Sequence, residues 1–322
     1  MGFFKNLMSA IKPASYRPTV ESVPEVAAVL GPMKHGDIRP ALQLFSTSQD
    51  GELRYRLIEA AAQLFGAESS RTVLLDAWAN NTPNDPYARL VRAKWRMESL
   101  PTWYPNDPEE VADKARAAHA AAGEQSRADY EYIARMNGAD PVPWAMMLEL
   151  PMTFELEDKK RLYAEVERRQ PLFFPAQLAM HHALSAMWYG DHEQSVGFMR
   201  SVSQRAPVGS DLHVLVVYGH FRVYAYELHN GDKALAAAHR DDPHNRMEVK
   251  QALERSLWSP QYRPGYWSVF ARHCAACWFM QCEDYPHTKA ELEKCGDYYD
   301  ENETPWNFPA SRYSEIRKQV GL

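Results

Sequence analysis

Along "ELRYRLIEAAAQLF" (52–65), Leu53, Leu57, Ala60, Ala61 and Leu64 recur every three or four residues and would form one stripe on a helix. The same period runs through "RTVLLDAW" (71–78), "YARLVRAKWRM" (87–97) and "DLHVLVVYGHFRVYAYEL" (211–228). The last has a β-branched centre, but its length suits a buried helix better than a strand. The Ala- and charge-rich stretch 108–137 predicts two helices, or one bent near Gly123. Nowhere does a period-two run meet a hairpin turn, so the pattern predicts an all-α chain.

Between these stretches the punctuation recurs. "NNTPNDPYA" (80–88), "NGADPVPWA" (137–145), "RRQPLFFPA" (168–176) and "QRAPVGSDL" (204–212) each close one helix and open another. Proline fits because it is tolerated in the first helical turn and stops the helix before it. Pro143 to Pro175 is 32 residues and Pro171 to Pro207 is 36, bracketing the 34-residue period of a helix–turn–helix repeat.

The clearest unit is "ALSAMWYGDHEQSVGFMRSVSQRAP" (183–207). It has a Gly190-Asp191 turn, small residues at Ala183 and Ser195, Met199 and Val202 as bulkier buried positions, and a closing Pro207. His192 follows the turn and is expected to be exposed. "HGDIRPALQLF" (35–45) repeats the Gly-Asp turn with Ala41 and Phe45 at matching spacing, and 230–238 and 283–295 are weaker echoes. On these residues the chain resembles tetratricopeptide-repeat proteins. It is also similar to an uncharacterised group of bacterial proteins with tetratricopeptide-like helices, through 74–93, 187–213 and "ETPW" (303–306). The resemblance implies a degenerate helical-repeat superhelix, an α-solenoid, and supplies no activity and no catalytic residues. Such folds usually hold a protein or peptide on their concave face.

Composition narrows the classes. A chain of 322 residues exceeds the usual single core. The boundaries read as a flexible arm and Pro/Ser-rich linker over 1–24 and a helical repeat domain over 25–322, with a subdivision near 100–108. A net charge of −6 disfavours nucleic acid, whose binding rests on phosphate neutralisation by Lys and Arg. No stretch reaches the ~20 apolar residues that span a bilayer, and no secretory signal is legible, so a cytoplasmic location is expected. Phe3, Phe4, Leu7, Met8 and Ile11 would share a face flanked by Lys5 and Lys12. An arm that docks on protein is the first reading of residues 1–12, and a membrane-surface anchor the alternative.

The chemistry-bearing candidates are few. "ARHCAACWFMQC" (271–282) holds Cys274 and Cys277 three apart, with His273 able to share their face. It lacks a second ligand pair and knuckle chemistry for zinc, and a βαβ context for a redox pair. Small buried cysteines where a helix packs are the favoured reading, and a His273–Cys274–Cys277 metal site the runner-up. His181, His182, His192, His213 and His220 crowd one segment, which supports an alternative enzyme using 181–220. No nucleophile elbow, phosphate loop or dinucleotide fingerprint appears, so neither catalysis nor a cofactor is expected. Tryptophans and tyrosines concentrate beside prolines at 101–108, 256–267 and 303–309. They plug gaps between helices or form a recognition surface. The residues proposed to touch a partner are His182, Trp188, His220, Trp267 and Trp306.

Overall fold

A computed structural model describes residues 16–35, 37–65, 69–82, 84–100, 109–150, 154–299, 305–306 and 309–322. The arm face at 3–11, the loop at 101–108 and Gly36 lie outside these residues. The described chain is all-helical, with one isolated bridge between Arg17 and Tyr298. None of its helices is long and apolar enough to cross a membrane. The chain divides into two compact units, Val23–Phe198 and Met1–Ser22 with Met199–Leu322. The boundaries fall at 22/23 and 198/199, so the first unit is inserted into the sequence of the second.

The inserted unit holds α1 (Pro24–Lys34), α2 (Arg39–Thr47), α3 (Gly51–Phe65), α4 (Ser69–Asn81) and α5 (Pro86–Glu98). It continues with α6 (Glu109–Met136), α7 (Val142–Glu149), α8 (Leu156–Arg169) and α9 (Phe174–Ala183). The long α6 runs through Gly123 as one helix. Aspartates set several starts: Asp50 accepts from the Glu52 and Leu53 N–H groups, and Asp85 from Tyr87 and Ala88. Each satisfies donors that a helix start leaves orphaned. Helices touch both their chain neighbour and the next but one: α3 packs on α5, and α7 on both α8 and α9. Ala41 and Phe45 are buried, as are Ala183 and Ser195. A Cβ on Gly190 would lie 2.2 Å from the Leu184 carbonyl oxygen, so close backbone approach excludes other residues there.

A charge cluster joins three of these helices. Lys94 Nζ of α5 lies 3.0 Å from Glu149 Oε2 of α7 and 3.4 Å from the Tyr55 hydroxyl of α3. Glu98 and Glu59 lie 3.6 and 3.9 Å from it, and the Tyr55 hydroxyl donates to Glu149. Burial alone would lower the Lys94 ammonium, but Glu149, Tyr55, Glu98 and Glu59 hold it protonated well above its usual range. Arg56 pairs with Glu59 at 2.6 Å. Three carboxyls thus face two cations, and burial pushes the outermost, Glu98, up to about 7.

The terminal unit takes in the end of α10 (His192–Arg205), then α11 (Val214–His229), α12 (Lys233–Asp241) and α13 (Pro243–Arg255). It closes with α14 (Ser268–Gln281), α15 (Tyr285–Cys295) and α16 (Ala310–Gln319). The β-branched run at 214–217 is buried helix. Two hairpins, α11–α12 and α14–α15, repeat at an offset of 52 residues, and α11 packs on α14. Each turn has a left-handed residue, Gly231 (φ 84°) or Glu283 (φ 57°). Each is followed by an aspartate whose N–H reaches five residues back, Asp232 to Glu227 O and Asp284 to Phe279 O. Those aspartates then cap the next helix, at the Leu235 and His287 N–H groups. At the same offset, His220–His239 in one hairpin corresponds to Arg272–Glu291 in the other.

The 1–24 segment does not behave as a linker throughout. Arg17 N–H donates to Asp297 O at 2.8 Å, and Arg17 O accepts from Tyr299 N–H at 2.9 Å. The Tyr16 ring sits edge-on to Tyr299 and Tyr313, and Thr19 and Val20 are buried. Backbone pairing and aromatic burial outweigh the turn-forming composition that suggested a free tether. Replacing both Tyr16 and Val20 by alanine should cost about 3 kcal/mol, read as a lowered urea midpoint. An unchanged midpoint would show that this strap is not held.

Candidate functional site

An open groove of about 610 Å³ lies in the inserted unit, between the end of α2, the starts of α3 and α5, and the end of α6. Leu42, Phe45, Tyr87, Ile133 and Met136 supply its apolar lining. Phe45 and Tyr87 sit with ring centroids 4.7 Å apart, and the Tyr87 hydroxyl donates to Leu57 O at 3.2 Å. The lining is therefore fixed from beneath. Arg54 spans the groove's base, giving 2.8 Å bonds to Ser48 O and Asp140 Oδ1. Asp140 also accepts from the Val142 N–H at the start of α7, so one carboxylate fixes both the arginine and the next helix.

The rim carries neutral amides. Gln43, Gln49 and Asn137 are all exposed. Their carboxamides each donate and accept, which is the hydrogen-bonding repertoire of a peptide unit. Arg54 and Asp140 neutralise one another, and Asp85 is turned onto the α5 start, with burial raising its carboxyl above the usual range. An apolar lining beside neutral amides suits an uncharged extended chain. Sequence reasoning found Phe45 as a repeat position and "NGADP" as a turn, but had no means of bringing them together.

The expected contact residues sit elsewhere. Trp188 is 44% exposed, flanked by exposed Met187 and Tyr189 on the turn after α9, and His182 is half-buried on α9. His220, Trp267 and Trp306 are buried. His192 is half-buried and not exposed.

His220 and His213 are bonded into the fold. In α11, His220 Nε2–H donates to Glu248 Oε2 at 3.0 Å, while Nδ1 accepts from His239 Nε2–H at 3.2 Å. Asn245 donates to His239 Nδ1, and Arg200 forks onto Glu248 at 2.8 and 2.7 Å. Burial, then His239, pushes His220 down to about 4, so His220 stays neutral near pH 7. Burial works against ionised Glu248, yet Arg200 and His220 hold its carboxyl below the usual range. His213 is likewise satisfied, between the Ser203 hydroxyl and Pro207 O.

The cysteine helix α14 resolves in the same way. Cys274 and Cys277 are free and buried, and burial raises both thiols, suppressing the thiolate that metals and disulfides require. His273 accepts from Trp306 Nε1–H at 3.0 Å and donates Nε2–H to Tyr298 O at 3.0 Å. Neither ring nitrogen retains a lone pair for a metal, which counts directly against the His273–Cys274–Cys277 set.

Comparison with protein-family models, curated proteins and solved structures finds no match to this chain.

Burial lowers His273 to about 4 in the fold, against 6.5 for a free imidazole. The unfolded chain therefore binds the proton first on acidification. The contribution of neutral His273 is complete above pH 6.5 and is lost as pH falls from 6.5 towards 4, by about 3 kcal/mol in all. His273→Gln should be most damaging at pH 7, with the penalty shrinking towards pH 4 in urea titrations. A penalty constant across that window would contradict the buried neutral imidazole.

Proposed function

We propose that the chain is a helical-repeat scaffold of the tetratricopeptide type that binds an extended peptide segment of a partner protein and has no catalytic role. The groove of the inserted unit carries this reading. Its apolar lining accommodates alternate side chains, and its rim amides pair with an exposed main chain, the division of labour by which extended peptides are recognised. The contacts of α3 with α5, α7 with α9, and α11 with α14 support stacked hairpins, and the Gly-Asp and Pro spacing supports the same arrangement. The neutral rim favours an uncharged main chain over nucleic acid. The occupied ring nitrogens of His213 and His220 favour binding over an enzyme built on residues 181–220.

A random-peptide display selection on the purified chain tests the proposal, with affinities read by fluorescence polarisation. Gln43→Ala combined with Asn137→Ala should weaken selected peptides by about tenfold or more, the loss of two neutral hydrogen bonds. The melting temperature should stay unchanged because both side chains are exposed. Trp188→Ala should leave affinity intact. Peptides that bind the double variant as tightly as wild type, or none selected at all, would overturn the groove as the site.

A further inference from the structure

The sequence holds two Asn-Gly pairs, Asn137-Gly138 and Asn230-Gly231. An asparagine followed by glycine can lose its amide without an enzyme, because no Cβ shields the glycine nitrogen from the asparagine side chain. The reaction needs a carboxamide held by nothing else and a glycine N–H outside any hydrogen bond.

The structure separates the two pairs. Asn137 follows the last residue of α6, and both it and Gly138 are exposed. Among the described residues, nothing hydrogen-bonds to the Asn137 carboxamide or to the Gly138 N–H. The Asn137 carbonyl accepts from Asp140 N–H at 3.1 Å, and the Gly138 carbonyl from Arg169 Nε–H at 2.6 Å. The turn is thus held through its oxygens and not through that nitrogen. In the second pair both reacting groups are engaged. Asn230 Nδ2 donates to Tyr226 O at 3.0 Å, and Gly231 N–H donates to Leu228 O at 3.2 Å.

We propose that Asn137 is a site of spontaneous deamidation that places a charge on the rim of the groove. Gly138 N–H gives its proton to hydroxide, and the nitrogen attacks Asn137 Cγ. A C–N bond forms and closes a succinimide ring as the Cγ–Nδ2 bond breaks, and Nδ2 leaves as ammonia with a proton taken from water. Water then opens the ring at either carbonyl, leaving aspartate or isoaspartate at 137 and releasing the carboxyl proton to solvent. A neutral amide that donates and accepts becomes an anion that only accepts. Arg54 in the groove lining is already paired with Asp140 and does not offset the new charge. An uncharged main chain loses a donor there, and a segment carrying lysine gains an attraction. This effect rests on the peptide-binding reading, and the loss of the amide does not.

Incubation of the full chain for days in mildly alkaline heavy-oxygen water, followed by peptide mass spectrometry, tests the site. The segment holding Asn137 should gain the mass of an amide exchanged for an acid, with heavy oxygen drawn from the water. Asn230 should stay unchanged. Gly138→Ala should slow the gain by about tenfold, because a Cβ hinders the attack. Its melting temperature should not fall, since that Cβ meets nothing within 4 Å and φ is not positive. An unchanged Asn137, or Asn230 converting as fast, would overturn the assignment. So would a Gly138→Ala chain that converts as fast as wild type. Neutral peptides selected on fresh protein should bind the converted chain, and Asn137→Asp, about fivefold more weakly, the loss of one neutral hydrogen bond. Equal affinity for fresh and converted chains would overturn the effect on the groove. If no neutral peptide is selected at all, the peptide-binding reading fails, and the mass gain still decides the modification.

Discussion

The ion-pair cluster around Lys94 is the constraint on which the inserted unit depends. Glu59 and Tyr55 come from α3, Lys94 and Glu98 from α5, and Glu149 from α7, so one ammonium determines how three helices meet. A buried pair of this kind adds little net stability, because desolvation offsets the Coulomb attraction. Removing one partner costs about 3–5 kcal/mol, because it strands the others uncompensated. Lys94 faces three carboxyls and is the partner that cannot be dispensed with. Its role is to specify the register of α3 against α5.

That register positions the groove. Arg54 immediately precedes Tyr55, so the face of α3 next to the cluster lines the groove, and Tyr87 reaches it from the start of α5. α5 thus does three things along two faces, the inward one shared by Leu90, Val91, Lys94 and Glu98. Leu90 and Val91 enter the core, Lys94 and Glu98 join the charge cluster, and Arg89, Arg92 and Arg96 gather around Asp129. In the terminal unit the equivalent ties are His220–His239 and Arg272–Glu291, with the Tyr16–Val20 strap packed on the last turns.

Local order was legible in the sequence, and long-range order was not. Apolar period, helix-starting prolines and capping aspartates marked most helices, and the small and bulky positions of 183–207 are all buried. The division at 198/199 has no compositional mark, since it falls inside the continuous helix 192–205. Lys94–Glu98 has the spacing of an exposed surface pair, and only packing against α3 and α7 buries it. Residue type favours His220, Trp267 and Trp306 for contact surfaces, but all three are buried. Neutral hydrogen bonds and aromatic packing instead make His220 and Trp306 core, and Trp267 is buried at the start of α14. The groove joins residues from 42 to 140, a range that no local pattern spans.

Backbone hydrogen exchange of the full chain, with and without a bound extended peptide, tests the central claim most directly. Added protection confined to 42–49, 85–87 and 133–140 is the predicted result, because those segments line the groove. Protection that instead appears around Met187–Tyr189, with these three segments unchanged, would contradict it.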